Sequence, residues 1–486
     1  MDALASRALE TARLKGAQYA DVRVVHSAGQ SLAVKNGVVE ALSSGESLGF
    51  GVRVLVEGAW GFASSRELAA AEVDKTADLA VKIARASALV RGEPVRLGPP
   101  VANRGAYTTP IQVDPWRIPI EEKLNLLMQA DAAMARGVGA GHVPARSLIR
   151  RGHLTFLREH KTFANSEGAD IEQTIYEAGG GLEATAIAGD EVQRRSYPGG
   201  RKQNTGGWEL VTALDLVGHA ERTAAEAVQL LTAAPCPTDT LTTLILGGEQ
   251  LALQIHESCG HPIELDRVFG AEAAFAGTSF LTTEKLNNFR YGSEVVNLTA
   301  ESVRPTGLGT FGWDDEGVPA SSTPIVRAGR FVGYLMSRET ALLLGLTSNG
   351  CMRASGWNRI PLIRMTNVSL EPGTWGFDDL IADTADGIYM ETNRSWSIDD
   401  KRYNFQFGTE VGYEIKNGKL GRMLRNCTYT GITPEFWNSC DAVCNEKHWV
   451  MWGTPNCGKG QPMQVAHTGH GAAPARFRNV KVGVLK

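Results

Sequence analysis

The chain has 486 residues, 43% hydrophobic and 21% charged, enough apolar material for buried cores and too much for chain-wide disorder. At ~150 residues per domain, that length predicts two or three domains. Lys and Arg total 49 against 53 Asp and Glu, a net charge of −4, so the basic excess of a nucleic-acid-binding protein is missing.

Residues 2–15 have helical periodicity, with Leu4, Ala8, Ala12 and Leu14 near one face, and Gly16 predicts the helix end. The first residues show no basic segment followed by an apolar run, so they do not read as a secretory signal. Short alternating runs follow at 21–26, 31–35, 37–42 and 49–56, punctuated by Gly29, Asn36-Gly37, Gly45 and Glu57-Gly58. They predict an antiparallel meander. A helix is expected over about 66–88. The proline-rich stretch 92–119 reads as a linker. A helix at 120–136, strands at 147–157, 171–177 and 181–187, and a long helix at 208–233 come next. Pro235-Cys236-Pro237 predicts the main boundary. Beyond it the chain is rich in strand and turn signals, with one helix near 248–261. The expected fold is α+β: antiparallel sheets with flanking helices, then a larger β-rich C-terminal domain. The expected units are 1–91, an α/β meander; 92–236, a linker and the second part of the N-terminal region; and 237–486, the C-terminal domain.

No run reaches ~18 consecutive apolar residues, so no transmembrane helix and no membrane partner is expected. Seven cysteines, an odd number scattered along the chain, suit thiols or metal ligands in a reducing cytoplasm better than a disulfide framework.

The sharpest motif is His256-Glu257-Ser258-Cys259-Gly260-His261. Two histidines flanking a glutamate suggest a zinc hydrolase, but the familiar zincin spacing is HExxH, with both imidazoles on one helical face. In HExxxH the two stand ~140° apart on a regular helix, so the helix must end or distort between them. Gly260 and Pro262 are placed to cause that break. Zinc would then hold two imidazoles, a third protein ligand and an open position. Glu257 would take a proton from water activated by the metal and pass it to the leaving amine. Cys457 is the best third-ligand candidate, with Lys459 nearby to favour the thiolate. Without a metal, the histidines would be ordinary polar positions and Cys457 a free thiol in a glycine turn.

Other groups are open to two readings. Cys440-x3-Cys444-x3-His448 with Cys427 is either a second zinc site of unusual spacing or core thiols; core packing is the expectation. Cys259 reads as a packing residue. Asp314-Asp315-Glu316 lines a cleft or stands behind the metal ligands, or else forms a solvated hairpin turn. Glu264 and Asp266 are candidates to orient a ligand imidazole. Gly453-x4-Gly458-Lys459 nearly spells a phosphate loop, but Gly460 replaces the magnesium-binding hydroxyl. Gly307-x-Gly309-x2-Gly312 leads into a turn rather than a helix, so the dinucleotide reading fails.

Several segments taken in order resemble the TldD/PmbA family of zinc metalloproteases over nearly the whole chain. They are Tyr19-Ala20-Asp21-Val22-Arg23, Gly49-Phe50-Gly51-Val52-Arg53, the HExxxH segment through Pro262, and Asp314-Asp315-Glu316-Gly317-Val318-Pro319. Arg364-Met365-Thr366-Asn367 and Asn456-Cys457-Gly458-Lys459-Gly460-Gln461 complete the set. The motif and the late cysteine make the chain similar to the TldD-like, motif-bearing subunit. The resemblance implies zinc on His256, His261 and Cys457, with Glu257 as general acid/base. It also implies unfolded or leader-type peptides as substrates, and a homodimer or a heterodimer with a PmbA-like subunit. Residues 437–475, rich in Cys, His and Trp, depart from the best-known bacterial members. The alternatives are a non-catalytic peptide-binding or regulatory subunit with a structural metal, and a zinc amidase acting on small molecules.

Overall fold

A computed structural model describes residues 3–90, 92–137, 147–200, 202–460 and 463–483. The fold is α+β and rich in strand, as expected. Helix α1 (Ala3–Leu14) ends at Gly16, whose φ of +95° suits glycine. Strands β1 (Tyr19–Lys35) and β2 (Val38–Val56) then form one long hairpin. Asn36 and Gly37 turn it, both with positive φ, as a two-residue hairpin loop requires. The four short strands expected here are therefore two long ones. Gly29 and Gly45, expected to mark turns, lie opposite each other inside the ladder. Strand β3 (Ala59–Ser65) and helix α2 (Ala70–Ala88) follow. Gly61 lets α2 close on the sheet, since a Cβ there would strike Ala80 O and Ala84 N.

The proline-rich stretch holds strand β4 (Arg104–Thr108), parallel to β6, so it is more than a linker. Helix α3 (Ile120–Arg136) stands where expected. Strands β5 (Leu148–Asn165), β6 (Asp170–Ala188), β7 (Glu191–Tyr197) and β8 (Gln203–Thr205) are added to the same sheet. Its order is β3-β2-β1-β5-β6-β4, with β7 and β8 paired to β6. The long helix expected at 208–233 is split into α4 (Trp208–Leu214) and α5 (Leu216–Leu230). Asp215 causes the split: its φ is +44°, and its side chain caps α5 by accepting from Gly218 N–H. Leu127, Met134, Ala220 and Ala224 of α3 and α5 pack with Leu32, Leu154 and Leu182 of the sheet.

The C-terminal half carries an eight-stranded sheet and a six-stranded sheet. Helix α6 (Gly248–Ile255) packs against strands Asn367–Leu370, Asp386–Ile398 and Gln464–Ala472. Leu251, Ile255 and Cys259 belong to the large core beneath it.

Asp314, Asp315 and Glu316 do not form a solvated turn, and Glu316 lines a cavity. They are buried where the two halves meet. Asp315 sits 2.7 Å from Lys161 Nζ and 3.4 Å from Arg23, and Glu316 lies 3.5 Å from Arg53. Asp314 Oδ1 accepts from the backbone N–H groups of Glu316 and Val318, holding the turn that presents its neighbours.

Candidate metal centre

Helix α6 does not stop before the second histidine. It widens into a π-turn, His256–Gly260, in which His261 N–H donates to His256 O at 3.1 Å. This i→i+5 bond inserts one residue into the turn. The inserted residue turns the 140° offset of an α-helix into an overlay, so both imidazoles face one point. The expected break is thus an expansion, and Ile263 N–H still reaches Cys259 O beyond it. Gly260 lets Met365 lie against the widened turn, because a Cβ there would overlap the Met365 sulfur.

Each imidazole is held from behind. His261 Nδ1 lies 3.1 Å from Glu264 Oε2, so Nδ1 carries the proton and Nε2 presents its lone pair. His256 Nδ1 lies 2.8 Å from His470 Nε2. His470 Nδ1 donates to Val368 O at 2.9 Å, which leaves its Nε2 as the acceptor for His256. That fixes the His256 tautomer too, with Nε2 free of the proton. The two rings stand 4.9 Å apart between centroids at 87°.

Strand Val450–Lys459 delivers the third group from 196 residues away: Cys457 Sγ is 3.9 Å from His261 Nε2. One potential ligand atom from each of His256, His261 and Cys457 lies within 4.8 Å of the others, and all three residues are buried. Two imidazole nitrogens and a sulfur converging in one buried spot are a donor set that fits zinc with one coordination position open.

Electrostatics favour a neutral imidazole on His261. Burial, then the cations Arg402, Arg267, Arg364 and Lys459, holds His261 well below the usual histidine range. Burial pushes the Cys457 thiol up, and Arg364 opposes that shift. Arg364 Nη2 also donates to Cys457 O at 2.5 Å. Lys459, expected to favour the thiolate, is engaged elsewhere: its Nζ is 2.8 Å from Asp266 Oδ1 and 2.7 Å from Ile363 O. Asp266 therefore anchors the hairpin, and Glu264 alone of the two orients an imidazole.

Glu257 points to a different partner, Arg402, whose Nη1 donates to Oε2 at 2.8 Å. Sequence reasoning missed both Arg402 and His470. Arg402 sits in a loop with no spacing signal, while His470 belongs to the histidine-rich stretch that departs from the family pattern.

The second cysteine group is not gathered. The Cys427 thiol lies beside that of Cys236, Cys440 Sγ is 3.9 Å from Ala442 O, and His448 Nε2 accepts from Phe377 N–H at 3.2 Å. Cys259 packs in the core, its thiol pushed up to about 12 by burial. Among the described residues, His256, His261 and Cys457 are the group of His, Cys, Asp or Glu placed to hold a metal. The near-phosphate-loop segment lies mostly in strand Val450–Lys459, and Gln461 falls outside the described residues.

Three family profiles match along the chain: PmbA/TldA metallopeptidase domain 1 at 20–84, the central domain at 113–232 and the C-terminal domain at 240–483. The chain belongs to the PmbA/TldD metallopeptidase family. A Methanothermobacter thermautotrophicus protein named metalloprotease is 30% identical over 96% of this chain and 95% of its own. A Saccharolobus solfataricus protein named zinc metalloprotease TldD homolog is 26% identical, over 49% of this chain and 51% of its own. The crystal structure of TldE from Thermococcus kodakarensis shares the fold, with a TM-score of 0.72 over 99% of this chain and 100% of that one, at 18% identity. No described helix is long and apolar enough to cross a membrane.

Proposed function

We propose that this chain is a zinc-dependent metallopeptidase that hydrolyses unfolded or leader-type peptides. The observation that carries the reading is the convergence of His256, His261 and Cys457, with Glu257 next in sequence to one of them. Family membership and the metalloprotease names of its relatives support the same class. Bound on these three residues, zinc would supply Lewis-acid polarisation of a carbonyl and activation of water near neutral pH. The chain's own residues do the rest. His470 and Glu264 hold the ligand tautomers. Glu257, kept in place by Arg402, accepts the proton of the attacking water and returns it to the leaving amine.

The proposal extends to a cytoplasmic setting, which suits the seven free cysteines. It also extends to a homodimer, or a heterodimer with a PmbA-like subunit. The shared fold of TldE suits that pairing.

The test combines metal analysis with peptide cleavage. Wild type is expected to carry one zinc per chain, and Cys457→Ser and His256→Ala to lose it. Glu257→Ala is expected to keep the zinc and lose cleavage by ~10²–10⁴-fold. Wild-type cleavage by Glu257→Ala would overturn its assigned role. Zinc retained in both ligand variants would point to a scaffold with metal held elsewhere.

A further inference from the structure

We propose that the cavity between the N-terminal sheet and strand Gln464–Ala472 is a binding site for a carboxylate carried on a small apolar body. The cavity measures about 130 Å³. That is well below the ~300–1,000 Å³ of drug-sized pockets, so it takes one group of amino-acid size. Glu159, Lys161 and Glu177 of β5 and β6, with Arg353 and His467, supply its charges. Leu157, Ile175, Phe311, Trp313 and Val465 supply apolar wall.

Arg353 is the unbalanced member. Lys161 Nζ is 2.7 Å from Asp315 Oδ1 and 3.8 Å from Glu159 Oε1. His467 Nδ1 is 2.6 Å from Glu177 Oε2, which also accepts from Gln203 Nε2 at 2.8 Å. Among the described residues, no carboxylate forms an ion pair with Arg353. Its Nη2 donates to Met365 O, its Nε is buried with no hydrogen-bond partner, and its guanidinium carbon stands 5.7 Å from the Phe311 ring centroid. Burial, and then the nearby Arg364 cation, pulls its pKa down to about 10, with Asp315 and Glu177 acting in the opposite direction.

Arg353 is half-buried, its Nε has no hydrogen-bond partner and no described carboxylate pairs with it, so an arriving anion completes its bonding. The guanidinium fork matches the two oxygens of a carboxylate, and the apolar walls match a short hydrocarbon body. A peptide C-terminus with an apolar last side chain has this chemistry, and so does a free N-acyl amino acid. The site does not depend on the proposed peptidase activity, since binding here involves none of the three candidate metal ligands.

Calorimetric titration of the full chain tests the proposal. The probes are N-acetylleucine, N-acetylleucinamide, inorganic phosphate, and a leucine-ended peptide with a free or amidated terminus. N-Acetylleucine is expected to bind saturably, with the amide at least tenfold weaker. Arg353→Gln is expected to weaken the acid at least tenfold. Val465→Trp, which fills the mouth from a position 42% exposed and leaves Arg353 in place, is expected to do the same. It carries the test alone if Arg353→Gln does not fold. Tighter binding of the free-ended peptide than of N-acetylleucine assigns the peptide terminus as source, and the reverse assigns a free acid; both support the site. Equal binding of acid and amide, no saturable binding of the acid, phosphate binding as tight as the acid, or acid binding unchanged in the variants overturns it.

Discussion

His256 and His470 meet at 2.8 Å, Nδ1 to Nε2, although 214 residues separate them. His470 is fully buried, and Val368 O fixes its own tautomer. It acts on the proposed zinc through His256 and is a positioning residue. His470→Ala is expected to lower zinc affinity about 10- to 100-fold, the usual effect of losing such a partner. His470→Gln keeps an acceptor near Nδ1 and is expected to retain more of the affinity. Competition with a chromophoric chelator measures both. Wild-type affinity in the alanine variant would remove the relay from the account.

The π-turn makes a packing prediction. Gly260 faces Met365, and an added Cβ would overlap its sulfur. Gly260→Ala is expected to destabilise the chain by ~1–3 kcal/mol, as overpacking does. Met365→Ala alone opens a cavity and costs ~2–5 kcal/mol. Combined, the two changes relieve each other, so the double variant is expected to be more stable than the sum by ~0.5–3 kcal/mol. Denaturant unfolding of the four proteins gives the coupling. Strict additivity would mean that Gly260 is not there for this contact.

The sequence is most legible where local chemistry dictates local form. Helix α3 and the end of α1 at Gly16 are readable from periodicity and turn residues. The β1–β2 hairpin shows the limit. Gly29 and Gly45 look like turns in one dimension, and only their pairing across a ladder explains them. Asp215 splits a helix through a positive φ that periodicity cannot register. At the candidate site, HExxxH announces a distortion, but the sequence alone does not distinguish a broken helix from a widened one. Cys457 is readable as a candidate because its motif is compact. Arg402 and His470 act from across the fold, with no spacing that links them to Glu257 or His256.

Arg402 grips Glu257 in a pair that is nearly buried on both sides. The grip is preset by its loop. Arg402 has φ +65° and donates its N–H to Asp399 O at 2.9 Å, while the Asp399 carboxylate accepts from Tyr403 and Asn404 N–H. Arg402→Ala is expected to leave zinc content unchanged, since Arg402 donates to Glu257 rather than to a candidate ligand. It is expected to lower kcat at least tenfold, a part of the ~10²–10⁴ that a positioned acid/base supplies. Arg402→Lys is expected to restore part of that loss. A drop confined to KM would instead make Arg402 a substrate-binding group.

His467 and Glu177 give the chain a pH dependence whose sign can be fixed in advance. Burial opposes charge on His467, but the Glu177 carboxylate at 2.6 Å outweighs it, so the imidazole titrates above the usual histidine range. A group whose folded pKa is raised stabilises the fold fully below its unfolded pKa, here ~6.5. The contribution fades as pH rises through the folded value. His467→Gln is therefore expected to lower the Tm most near pH 6 and least near pH 9. Glu177→Gln removes the other partner and is expected to show the same trend. Thermal unfolding of wild type and both variants across that range tests the pair. A Tm gap that stays constant with pH would show that the contact contributes only as a neutral hydrogen bond.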